Sequence, residues 1–188
     1  FEGMGWTLPK YAHIPLIHGP DGAKLSKRHG ALGVEAYKDM GYIPDGLKNY
    51  LLRLGWSHGD DEFIPTDKAV EWFDLSGINK GASRMDFEKL AFINGEHLHR
   101  LDDATALDLL LENAQKEHTL SDAAKSRIEA AIAVLKTRGQ TIPEITSASQ
   151  FLIIERPIDI NSKARKKLKP QALEILGDLR NALNDEET

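Results

Sequence analysis

The chain contains no cysteine. That absence excludes a disulfide framework and any thiolate zinc site, and it is compatible with a reducing compartment. No apolar run approaches the roughly 20 residues that a membrane span needs, and no secretory signal segment leads the chain. The expectation is a soluble, cytoplasmic protein with no membrane partner. Positive charge is also scarce: 24 Lys and Arg against 29 Asp and Glu give a net charge of −5. This balance counts against a general nucleic-acid binder, DNA included, because such binding rests on broad phosphate neutralisation. No internal repeat and no low-complexity linker divides the chain.

What is present suffices for a folded body. At 188 residues and 41% hydrophobic content, the chain can bury one or two modest cores. Its charge is uneven, with seven Lys or Arg against six acids in residues 1–60, so that segment carries +1 and the remainder −6. A polyanionic partner would therefore meet a local surface and not the whole molecule.

Periodicity predicts a mainly helical fold. Tyr11 to Ile17 reads as a short strand whose internal Pro15 favours an edge position. Val34–Met40 and Pro44–Leu54 read as two helices, closed by Gly41 and Gly55, and Leu47, Tyr50, Leu51 and Leu54 give the second one apolar face. Thr66 is a candidate cap for a helix through Phe73, with Val70 and Phe73 turned inward, and Asp86 for one running toward Ile93. Asp103 and Ser121 are expected to begin longer helices, the latter carrying Ile128, Ala131, Ile132 and Leu135 before Gly139 ends it. A last helix from Pro170 to Leu183 presents Leu173, Leu176, Leu179 and Leu183.

The most informative stretch is Lys24-Leu25-Ser26-Lys27-Arg28-His29-Gly30-Ala31, which follows Gly19-Pro20-Asp21-Gly22. A Pro-preset turn with glycines free to take positive φ places the lysines at the edge of a loop. Lysine is a flexible point charge with three donors, suited to polyphosphate. Two exposed lysines are ordinarily no more than solvated charge, and the residues that follow change that weight. From Lys24 the chain reads KLSKRHGALGVEAYKDMGYIPDGLKNYLLRLGWSHGDDEF, and later DLSGINKGASRMDFEKLAFINGEHLHRLDD. This resembles bacterial glutamyl-tRNA synthetases, class I aminoacyl-tRNA synthetases, in which KLSKR is a form of the mobile signature loop. The resemblance is close from Leu8 to about Asp103 and thins from Ala104 to Thr188. Two departures accompany it. The partner signature of the His-Ile-Gly-His type is missing, as is the alternation of strands and helices that a nucleotide-binding core requires. Since the chain also opens on Phe1, the expectation is an excised piece without its N-terminal catalytic domain, inactive alone.

The resemblance implies a division into 1–102, signature loop and stem-contact helices, and 103–188, the first part of a helical anticodon-binding domain. It implies glutamate–tRNA ligase activity in the parent protein, with ATP, magnesium and tRNA for glutamate as its partners. Lys24 and Lys27 are the implied catalytic residues, Lys27 foremost, with Ser26 and Arg28 joining them in ATP binding. A stand-alone tRNA- or protein-binding module is the alternative, and a glutaminyl enzyme a third reading, opposed by the helical texture after Asp103. No metal site is expected. His97 and His99 fall on different sides of a helix, and Asp60-Asp61-Glu62 reads as a solvated turn. The basic run Lys163, Arg165, Lys166, Lys167 and Lys169 lacks interleaved aromatics and reads as a solvated helix face. Trp56, Trp72 and Phe73 are expected in the core.

Overall fold

The computed structural model describes residues 1–25, 33–155, 160 and 162–186. These form two compact units, Phe1–Ile153 and Ile154–Thr188. Helices dominate both, as the periodicity predicts.

The first unit opens with a 3-10 turn at Glu2–Met4, followed by an irregular segment that reaches β1 (Ile17–His18). Then come α1 (Val34–Asp39), α2 (Pro44–Gly55), α3 (Thr66–Trp72), β2 (Ser83–Arg84) and α4 (Phe87–Arg100). A bundle follows, made of α5 (Asp103–Ala114), α6 (Asp122–Leu135), α7 (Ile142–Ala148) and α8 (Gln150–Ile153). The second unit holds α9 (Ser162–Lys167) and α10 (Pro170–Glu186). β1 and β2 form a parallel pair in the register Ile17 to Ser83 and His18 to Arg84.

The helices start where short polar side chains satisfy backbone donors. Asp86 accepts from the Lys89 amide, Asp102 from that of Thr105, and Ser121 from that of Ala124. Each such cap contributes about 1 kcal/mol. Two apolar clusters then hold the unit together. One joins Tyr37, Leu47, Tyr50, Leu54, Met85, Leu90 and Ile93, with Ile17 and Leu25 packed against it. The other, the bundle core, includes Leu110, Ile128, Ile132, Leu135 and Ile145, and it also takes in Ile43 and Leu98 from outside the bundle. Helix α4 therefore contributes to both clusters, Leu90 and Ile93 to one and Leu98 to the other.

Polar side chains buried between α2 and α4 set how these helices meet. Asn94 is fully buried; its Oδ1 accepts from the Ile43 amide at 2.8 Å and its Nδ2 donates to the Gln140 carbonyl at 2.6 Å. Gly46 of α2 sits directly against it, since a Cβ there would stand 2.5 Å from Asn94 Oδ1. Asn49 mirrors this from the other helix. Its Oδ1 accepts from the Ile64 amide and from His97 Nε2, and its Nδ2 donates to the Glu62 carbonyl.

Several expectations need correction. The strand is two residues long, because Tyr11 to Leu16 find no partner strand and stay largely exposed. Leu51 is 45% exposed and lies off the packed face of α2. Thr66 does not cap α3; Pro65 holds that position, and the Thr66 hydroxyl donates to Asp45 Oδ1. Val70 and Phe73 are 77% and 49% exposed. Helix α4 continues past Ile93 to Arg100, and α6 stops at Leu135, short of Gly139; α5 begins at Asp103 as expected, with Asp102 as its cap. Trp56 is buried as expected, but Trp72 is only half-buried, stacked on His58 with ring centroids 4.4 Å apart.

Two measurements follow from the α2–α4 contact. Asn94→Ala strips the buried Ile43 amide and the partly buried Gln140 carbonyl of their partner and should destabilise the chain by about 2 kcal/mol, read from urea unfolding. Burial also holds the His97 imidazole below its ordinary value of 6.5. The unfolded chain therefore takes up that proton first, and the contribution of a neutral His97 is complete above pH 6.5 and lost as pH falls below it. Urea midpoints taken at about pH 7.5 and about pH 5 should fall less in His97→Gln than in the unaltered chain.

Candidate functional site

The turn that leads to the lysines is well defined. The Gly22 amide donates to the Gly19 carbonyl at 2.9 Å, the Gly19 amide to the Ala23 carbonyl at 2.8 Å, and Asp21 Oδ1 accepts from the Ala23 amide at 3.0 Å. Gly22 has φ of +81°, a left-handed conformation that a side chain would strain. The chain reverses here, so Lys24 pairs antiparallel with His18, and the Leu25 amide donates to the Ile17 carbonyl at 3.0 Å. Lys24 is exposed. Ser26, Lys27 and Arg28, the other predicted site residues, lie outside the described residues.

His18 thus sits between two neighbours, Lys24 on one side and Arg84 on the other. Paired residues in a sheet project to the same face, and successive residues alternate. Ile17, Leu25 and Met85 turn into the apolar cluster, which leaves Lys24, His18 and Arg84 in a row on the opposite face. The Arg84 guanidinium extends over the turn, where a Cβ on Gly22 would stand 2.7 Å from its Nη2. No carboxylate among the described residues ion-pairs with Lys24 or Arg84.

Sequence reasoning missed Arg84 and His18. Their partnership with Lys24 depends on a strand pairing between distant parts of the chain, which no local pattern announces.

Other candidates are already engaged. His97 and His99 diverge, His97 inward to Asn49 and His99 toward the Gly139 carbonyl at 3.3 Å. Asp61 pairs with His58 and Glu62 with Lys89. Lys163, Arg165, Lys166, Lys167 and Lys169 are all exposed, on α9 and just after it. An open groove of about 410 Å³ beside α2 and α3 is lined by Leu52, Ile64, Ala69, Val70 and Phe73, with Lys48 among its polar residues. Its walls are apolar and bring together no acid–base pair.

The family model described as "tRNA synthetases class I (E and Q), catalytic domain" matches residues 1–92, and the one described as "Anticodon binding domain" matches residues 97–188. Glutamate--tRNA ligase 2 of Rhodospirillum centenum is 50% identical over 181 residues, covering 95% of this chain and 39% of that protein. Glutamate--tRNA ligase 1 of Mesorhizobium japonicum is 47% identical over 191 residues, covering 98% and 40%. A crystal structure of a glutamate tRNA ligase from Elizabethkingia meningosepticum, in complex with its amino acid, superposes with a TM-score of 0.74 at 27% identity, over 97% of this chain and 40% of that one. The chain thus spans about two fifths of the length of the relatives it matches. With the similarity running through the turn, the α2–α4 pair and the bundle alike, the chain belongs to the class I glutamyl-tRNA synthetase family.

Proposed function

We propose that this chain is the signature-loop and tRNA-binding part of a glutamate–tRNA ligase. The observation that carries the reading is the identity of about half with glutamate–tRNA ligases along nearly the whole chain. It is supported by an exposed Lys24 delivered by a tight turn at the head of KLSKR. The alternative of a stand-alone binding module has no comparable support.

The reaction proceeds in two steps. The glutamate carboxylate attacks the α-phosphate of ATP and expels pyrophosphate; the terminal ribose hydroxyl of tRNA for glutamate then attacks the adenylate carbonyl and displaces AMP. Negative charge builds up on the phosphates in the first step. Cations placed where that charge develops lower the barrier more than they stabilise bound ATP. In this reading Lys27 makes the principal contact and Lys24 the second, while Ser26 steadies the loop and Arg28 adds a further phosphate contact. Magnesium would enter with the nucleotide. Among the described residues no three His, Asp or Glu side chains converge as a metal would need, so no step is assigned to it here.

The body beyond the loop serves tRNA. Residues 1–102 would meet the acceptor stem, and residues 103–188 begin the anticodon-binding part. The work is cytoplasmic in this reading; no helix among the described residues is long and apolar enough to cross a membrane.

In a protein of the relatives' full length, Lys27→Ala should slow glutamate-dependent ATP–pyrophosphate exchange about 30- to 1000-fold, corresponding to about 2 to 4 kcal/mol. Lys24→Ala should have a smaller effect, and residues 1–188 alone should show no exchange. A full-length protein that forms no glutamyl-adenylate would overturn the reading.

A further inference from the structure

We infer that Arg84 and His18 join Lys24 in one anion-binding row, and that its ligand is the pyrophosphate portion of a nucleoside triphosphate. The inference deepens the ligase reading and rests on it for the biological source of the ligand. The row itself rests on geometry.

Three features make it a binding surface. The first is alignment. Lys24, His18 and Arg84 occupy neighbouring positions across the ribbon, with their sequence neighbours Leu25, Ile17 and Met85 packed into the apolar cluster behind them. Two strand spacings give the row a length of about 10 Å, more than one phosphate fills and suited to a chain of two or three.

The second is rigidity at Arg84. Its neighbours are fixed on both sides: the Ser83 hydroxyl donates to the Leu54 carbonyl, and the Met85 amide donates to the His18 carbonyl at 2.8 Å. Met85 itself is buried. The backbone that carries Arg84 is thereby held in place, and the planar guanidinium is of a shape to meet two phosphate oxygens at once. It lies over Gly22, where a Cβ would stand 2.7 Å from Nη2.

The third is availability. Lys24 and Arg84 are exposed and lack ion-pair partners among the described residues, although the chain as a whole carries an excess of acid. Most other cations of this unit near carboxylates are already used: Lys48 with Asp45, Lys68 with Glu71, Lys89 with Glu62, Arg100 with Glu96 and Lys136 with Asp103. A compact polyphosphate fits this short row better than a long nucleic-acid backbone, which needs many cations along its track.

The chemistry asks nothing of Arg84 beyond charge and hydrogen bonds. As the bond between the α-phosphorus and its bridging oxygen breaks, that oxygen takes the electron pair, and the departing pyrophosphate gains negative charge. Arg84 and His18 face that charge from the strand pair, Lys24 joins them just after the turn, and Lys27 belongs to the signature loop.

Titration of the 188-residue chain with inorganic pyrophosphate, followed by NMR of the Arg84 Nε–H, the His18 ring and the Lys24 side chain, tests the row directly. Saturable shifts at all three are expected, with affinity at least tenfold weaker in Arg84→Gln, only partly restored in Arg84→Lys, which keeps the charge but not the fork, and unchanged in Arg100→Gln. Absence of shifts, or Arg84→Gln binding as tightly as the unaltered chain, would overturn the site. A stronger response to a short single-stranded RNA at equal phosphate concentration would overturn the ligand assigned to it. In the full-length protein, Arg84→Gln should raise the KM for ATP or lower the exchange rate at least tenfold, with the melting temperature unmoved. An active ligase indifferent to Arg84→Gln sinks the row and spares the ligase reading. A full-length protein inactive even when unaltered sinks that reading, while the pyrophosphate titration still decides the row.

Discussion

The buried amide of Asn94 is the constraint on which the rest of the first unit depends. It satisfies the Ile43 amide at the start of α2 and the Gln140 carbonyl ahead of α7, and so ties two separate stretches of chain to the middle of α4. An amide in a dry interior must keep its partners, because an orphaned donor or acceptor costs as much as a sizeable apolar contact contributes. The polar contact therefore fixes which residues face one another, and the surrounding apolar side chains add strength without choosing the register. Gly46 is part of the same device, since only a residue without a side chain lets α2 approach the amide so closely.

Helix positions were largely legible in the sequence, because caps and 3.6-residue stripes are local. Ser121, Asp86, Pro44 and Gly41 stand where elements begin or end. What misled was treating every apolar residue at helical spacing as core. Val70 and Phe73 have the right spacing, yet they line an open groove beside α2 and α3 and stay exposed. Thr66 failed as a cap because the helix starts one residue earlier than expected: Pro65 holds the cap position and Thr66 is already in the first turn. The site was half legible. KLSKR is a contiguous motif and can be read in one pass, whereas Arg84 is brought to it by strand pairing, and nothing within a few residues of Arg84 says where β1 lies.

The basic row and the apolar core share one short ribbon. Of each consecutive pair in it, one residue is spent on the apolar cluster and the next faces outward, so Ile17, Leu25 and Met85 anchor what His18, Lys24 and Arg84 display. Two-residue strands would be marginal on their own. They persist here because Ser83 and Met85 are bonded to neighbouring backbone and Met85 is buried under α2 and α4. A basic row built this way does not depend on the excess of acid elsewhere in the chain, which is why composition spoke against an anion-binding role that the local geometry supports.

Helix α4 begins immediately after the ribbon, capped by Asp86, and its 14 residues run to Arg100 with a foot in each apolar cluster. At 1.5 Å per residue it is a rod of about 20 Å without a proline or a break. Mechanically it is a beam clamped at both ends. A helix this short and unbroken resists bending, so a displacement of the β1–β2 ribbon would be carried along it toward the α5–α8 bundle.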